Sequence, residues 1–181
     1  MASSDFGDQL NRTFDEVFRQ TDRASAIVSS ALLEELLERL LLAYLVDNVS
    51  VKRDLFEGIA PLSTMSAKIN LAYYLGLLGQ NEFDDLKLIK NIRNDFAHSF
   101  EGINFETQRI KDKCLLLKTL KSTKPPKDAM DSIKNVKTFF QINTTLLASI
   151  LYAHIEEIKH TEPHKYGIDE RDGMNKDVKT R

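Results

Sequence analysis

At 181 residues and 20.7 kDa, with 42% hydrophobic side chains, the chain can build the core of one ordinary domain. A formal net charge of −2 excludes a protein that coats nucleic acid indiscriminately, and the single cysteine, Cys114, excludes an internal disulfide and a cysteine-based zinc site. The longest apolar run, from Leu40 to Val46, is far short of the roughly 20 residues of a membrane span, and no basic-then-apolar signal opens the chain, so a reducing cytoplasm is the expected compartment.

Phe6, Leu10, Phe14, Val17 and Phe18 repeat at helical spacing and predict a first amphipathic helix. Thr21 or Asp22 can cap a second, long helix through Ile27, Val28, Leu32, Leu36, Leu40 and Tyr44. Being apolar around most of its girth, this helix is expected at the centre of the fold. Gly58 and Pro61 bound a connection in which Asp54, Leu55 and Phe56 form a short helical turn. Ser63 opens the next helix, carrying Met65, Ile69, Ala72, Leu75 and Leu78, and Gly79 closes it.

Asn81 with Asp84 reads as the cap of a helix to about Phe100, followed past Gly102 by one from about Phe105 to Leu120. After Pro125 and Pro126, Asp128 caps a last helix to about Ile158, roughly 45 Å long if unbroken. The expected core includes Leu32, Leu36, Leu40, Ile69, Leu75, Ile89, Phe96, Phe140, Leu147 and Ile150, with Cys114 as a small core residue. No stretch alternates as a half-buried strand does. The fold class is all-α: a single bundle of six or seven helices over 1–160, then a polar tail over 161–181 that is expected to be disordered.

Charge is uneven along the chain. Residues 1–108 hold 17 acids and 10 bases, whereas 109–137 hold 9 bases and 3 acids. Arg109, Lys111, Lys113, Lys118, Lys121, Lys124 and Lys127 are therefore the candidates for attracting a polyanion, although a solvated lysine-rich helix end explains them as well. No phosphate-cradling glycine loop, nucleophile elbow or two-histidine zinc motif occurs, and no cofactor is implied. His154, Glu157, His160 and His164 lie near one another in sequence, but Pro163 ends the helical register that would align them, so no metal site is assigned.

The segment Ile92-Arg93-Asn94-Asp95-Phe96-Ala97-His98 is the most informative. At about 100° per residue, Arg93 projects inside the apolar stripe of this helix, which predicts a buried guanidinium paired with Glu34, Glu35 or Glu38. Arginine, a polar residue, and histidine after four intervening positions also resembles the motif of the HEPN ribonucleases. That likeness implies a metal-independent nuclease in a dimer, with Arg93, Asn94 and His98 as its site residues. A histidine of near-neutral pKa can move a 2′-hydroxyl proton, and a guanidinium can hold the phosphorane oxygens.

A second likeness covers more of the chain. The run from Leu62 to Leu78 with its Leu71-Ala72-Tyr73-Tyr74-Leu75-Gly76 core, then Glu82 to Leu86, then Arg93 to His98, resembles the mannitol operon repressor family. Together with the leucine-rich second helix, the resemblance spans roughly residues 23–100. It implies a small all-helical bacterial cytoplasmic protein in negative control of transcription. Such a protein is not an enzyme, and its family lacks a recognisable DNA-binding motif. The chain agrees, because the helix that Ser63 opens carries one charge, Lys68, too few for a helix that contacts phosphates. The reading taken forward is a repressor acting through a protein partner, such as another transcription factor. A homodimer is admissible, and neither strong DNA binding by the chain alone nor membrane association is expected.

Overall fold

The computed structural model describes residues 2–158 apart from 101 and 132, without the side chains of residues 2–9, 11 and 129. Among these residues there are nine helices and no strand. They are α1 (Ala2–Arg19), α2 (Asp22–Tyr44), α3 (Val49–Phe56), α4 (Met65–Tyr74), α5 (Gln80–His98), α6 (Gln108–Leu115), α7 (Thr119–Ser122), α8 (Lys127–Asp131) and α9 (Val136–Glu157). Seven pack into one bundle; α3 and α8 are short additions at its edge. The predicted tail over 161–181, with His160 and His164, lies outside the described residues.

The long second helix is the axis, as its leucines require. It packs on α9, α5, α4 and α1, and Leu33, Leu36, Leu37, Leu40 and Leu41 have no solvent exposure. At its N-terminal end the buried stripe changes to Ser25, Ala26, Ser29 and Ser30, small enough for α9 to lie close. There Gln141 donates to the Val17 carbonyl and the Ser25 hydroxyl, at 2.9 and 3.1 Å, so the polar atoms in the contact are satisfied. The Thr21 hydroxyl accepts from Ala24 N and starts the helix.

Leu36, Leu40, Ile69, Ile89, Phe96, Phe140 and Leu147 are buried as expected; Leu32, Leu75 and Ile150 are only half-buried, Leu75 as the C-cap of α4. Phe105 joins Phe96 and Phe140 in a chain of tilted rings 5.0 Å apart. Cys114 has no exposure, and burial pushes its thiol up to about 12. A pKa raised on folding keeps the thiol protonated, so it contributes fully below the free-thiol value and loses that contribution as pH rises toward the folded one. Iodoacetamide at mildly alkaline pH should therefore leave Cys114 unlabelled in the native protein and label it fully in denaturant. Rapid native labelling would contradict the burial.

Several boundaries differ from expectation. Gly76, at φ +75°, ends α4 in the left-handed conformation that Gly79 was expected to supply. Gly79 instead precedes α5, whose Glu82 carboxylate accepts its backbone N–H at 2.7 Å, so the Asn81 and Asp84 pair is not the cap. The helix expected over Phe105 to Leu120 is split into α6 and α7. Asp85, fully buried on α5, draws the break toward itself by accepting from Lys118 N at 2.9 Å and from Thr119 N and Oγ1 at 2.7 and 2.6 Å. The last helix starts at Val136, capped by Asn135 accepting from Thr138 N at 2.8 Å, rather than at Asp128. Its 22 residues span about 33 Å.

Candidate functional site

Helices α4 and α5 run antiparallel. Tyr73 stacks on Phe83 at 4.2 Å between ring centres, and two turns away Lys90 Nζ donates to Ser66 Oγ at 3.0 Å. One further step in the same register sets Arg93 opposite Ser63, where α4 has not yet begun. The C-terminal half of α5 therefore overhangs its neighbour, and the vacated space is a polar cleft of about 330 Å³. Its walls include Ser30 and Glu34 of α2, Ser63 and Ser66 at the start of α4, and Lys90 and Arg93 of α5.

This geometry overturns the expected burial of Arg93. The residue is exposed and its guanidinium donates to Asn94 Oδ1 at 3.0 Å, not to a carboxylate. The carboxylates proposed for it have other partners. Glu38 and Glu34 reach Lys68 at 2.8 and 3.4 Å, and Glu35 pairs with Arg39 at 2.8 Å. Lys68 is the ion buried in this part of the core, only 5% exposed. In sequence it counted only as the one charge of its helix, although it lies three residues after Met65 and four before Ala72, both buried. An exposed arginine without a buried partner contributes little to stability, so Arg93→Ala should change the unfolding free energy by no more than about 0.5 kcal/mol. A larger loss in a urea melt would restore the structural role first expected of it.

Arg93 and His98 do not gather on one face. They are five positions apart on a regular helix, about 140° round its axis, and His98 is exposed in its last turn. Asn94 is half-buried beside the cleft. Part of the basic segment is paired with carboxylates. Lys113 is 2.5 Å from Asp95, Lys118 2.7 Å from Asp84, and Lys111 3.7 Å from Glu106. The hydrogen bond from Lys118 holds the Asp84 carboxyl below its usual range, and the carboxylate in turn holds the Lys118 ammonium up. Lys121 Nζ donates to the Leu115 carbonyl and lies 5.6 Å from the centre of the Phe139 ring. Arg109, Lys124 and Lys127 are exposed. Among the described residues no cluster of three or more histidine, cysteine or acidic side chains could hold a metal ion, and no helix is long and apolar enough to cross a membrane.

Residues 9–160 match the family model described as mannitol repressor. The chain belongs to the mannitol repressor family. The match takes in α9 and almost the whole bundle, well beyond the stretch that carried the likeness in sequence. Two solved structures share the fold of this mannitol repressor family member. The MtlR-HPr complex from Escherichia coli aligns at a TM-score of 0.65 and 22% identity, over 79% of this chain and 98% of that one. A possible transcriptional regulator, YggD, from Shigella flexneri aligns at 0.61 and 15% identity, over 83% and 96%. No curated protein matches the sequence. None of these findings favours a ribonuclease. This member of the repressor family also exposes apolar side chains between Val46 and Ile59, among them Val49 and Val51 on α3, and carries Leu115 and Leu116 exposed at the end of α6.

Proposed function

We propose that the chain represses transcription by binding a protein partner, and not by placing a helix of its own in a DNA groove. The match to the mannitol repressor family across 9–160 carries this reading. The charge pattern supports it. The base-rich segment is where DNA contact would be expected, yet three of its lysines are committed to carboxylates from α5 and the loop before α6. Reaching phosphates with those three would mean breaking the pairs, which lowers the number of cations able to release counterions. The exposed valines of α3 and the leucines ending α6 are surface of the kind that a protein interface covers.

HPr is the partner to test first, because the Escherichia coli relative of the same fold was solved in complex with it. The reading carries a cytoplasmic address, suited to a chain whose one cysteine is buried and reduced. Calorimetric titration of the full chain with HPr should give saturable binding. Gel shifts with DNA from the promoter region should show only weak, salt-sensitive retention by the chain alone. Sequence-specific DNA binding that survives physiological salt, with no heat from HPr, would sink the proposal.

A further inference from the structure

We infer that the cleft between α2, α5 and the start of α4 binds a small phosphate monoester carrying hydroxyl groups, of the size of a sugar phosphate. Among the described residues the cleft is lined by two cations, Lys90 and Arg93, and by one carboxylate, Glu34, which is paired with Lys68. Lys90 is half-buried, so it has lost part of its hydration, and among the described residues its ammonium donates to the Ser66 hydroxyl alone, at 3.0 Å. Among those residues Arg93, on the same wall, donates to Asn94 Oδ1 alone. Among the described residues neither has a carboxylate within ion-pair distance. Lys68, Lys111, Lys113, Lys118 and Lys137 all do. Two cations without paired carboxylates on one wall of a cleft, one of them half-buried, make an anion-binding arrangement, and the guanidinium can hold two oxygens of a phosphate at once.

The rest of the lining suits such a ligand. The opening turn of α4 brings unbonded backbone amides and a favourable dipole to the same wall. Its Thr64 hydroxyl satisfies only Ala67 N. Glu34 faces the cleft from α2, but its charge is shared with Lys68, and the sum over Lys90, Arg93 and Glu34 is one positive charge. The Glu34 carboxylate and the hydroxyls of Ser30 and Ser63 are acceptors and donors for sugar hydroxyls, while Lys90 and Arg93 take the phosphate. The volume of about 330 Å³ lies at the small end of the range for ligand pockets, enough for one six-carbon unit and its phosphate.

The test is calorimetric titration of the full chain with a hexose 6-phosphate, with inorganic phosphate and with the unphosphorylated hexose. The sugar phosphate should bind saturably, inorganic phosphate should compete with it more weakly, and the neutral sugar should give no heat. Lys90→Gln and Arg93→Gln should each weaken the sugar phosphate by about tenfold, the loss of one charge-assisted contact, with unchanged thermal melts. Lys118→Gln, which removes a cation elsewhere on the surface, should leave the affinity as it was. No saturable binding of either phosphate compound at millimolar concentration would overturn the inference, as would binding undiminished in the Lys90→Gln, Arg93→Gln double variant. Inorganic phosphate binding as tightly as the sugar phosphate would overturn the part of it that concerns hydroxyls.

Discussion

Asp85→Ala should destabilise the fold by about 3–5 kcal/mol, a large share of the 5–15 kcal/mol that holds an ordinary domain together. The carboxylate has no solvent exposure, and its partners are the backbone N–H groups of Lys118 and Thr119 with the Thr119 hydroxyl. Hydrogen bonds to a charged group contribute about 1.5–3 kcal/mol each, and donors left unpaired in the interior cost their full desolvation. Alanine strands all three donors at the point where α6 gives way to α7. Asp85→Asn should fall between, because its amide oxygen can still accept while its NH2 group faces other donors. Urea melts of the three proteins would rank them. An alanine variant within about 0.5 kcal/mol of wild type would mean that Asp85 does not hold this turn.

Lys68→Met should cost about 2–4 kcal/mol. The substitution keeps most of the buried stem and removes the charge, leaving Glu34 and Glu38 near each other with no cation between them. The expected loss is set below that of a fully buried pair because both glutamate side chains remain about a third exposed, at 32% and 28%, and water can take up part of their charge. The triple variant with Glu34→Gln and Glu38→Gln should recover part of the loss, since no like charges then face each other. Thermal melts of the single and triple variants decide it. If Lys68→Met melts with the wild type, the ion group contributes nothing to the fold.

Much of the fold was legible from periodicity and punctuation. The leucines of α2 announced the central helix, and Ile89, Ile92 and Phe96 the buried face of α5, because a helix apolar on one face has to cover that face. The site was less legible. Glu34, Glu35 and Glu38 were expected to pair with Arg93 of α5, yet Glu34 and Glu38 meet Lys68 of α4 and Glu35 meets Arg39. The break between α6 and α7 was hidden for a related reason. Its cause is a side chain more than thirty residues away in sequence, and Leu115, Leu116 and Leu117 continue the apolar pattern straight through it.

Asp85 and Arg93 divide what the sequence determined from what the tertiary structure decided. Both fall on the apolar stripe of α5, Asp85 four residues before Ile89 and Arg93 four after it, so helical spacing alone assigns them the same fate. The sequence by itself determined that α5 exists, which face it buries and that the bundle is all helical, since these follow from local spacing and the burial of apolar area. Only the packing decided that Asp85 meets the turn into α7 and is sealed by three donors, while Arg93 extends past the first residue of α4 into an open cleft. A helix periodicity gives the direction in which a side chain points. Whether anything stands there to cover it depends on where the neighbouring helix begins, and that was decided here by the offset between α4 and α5.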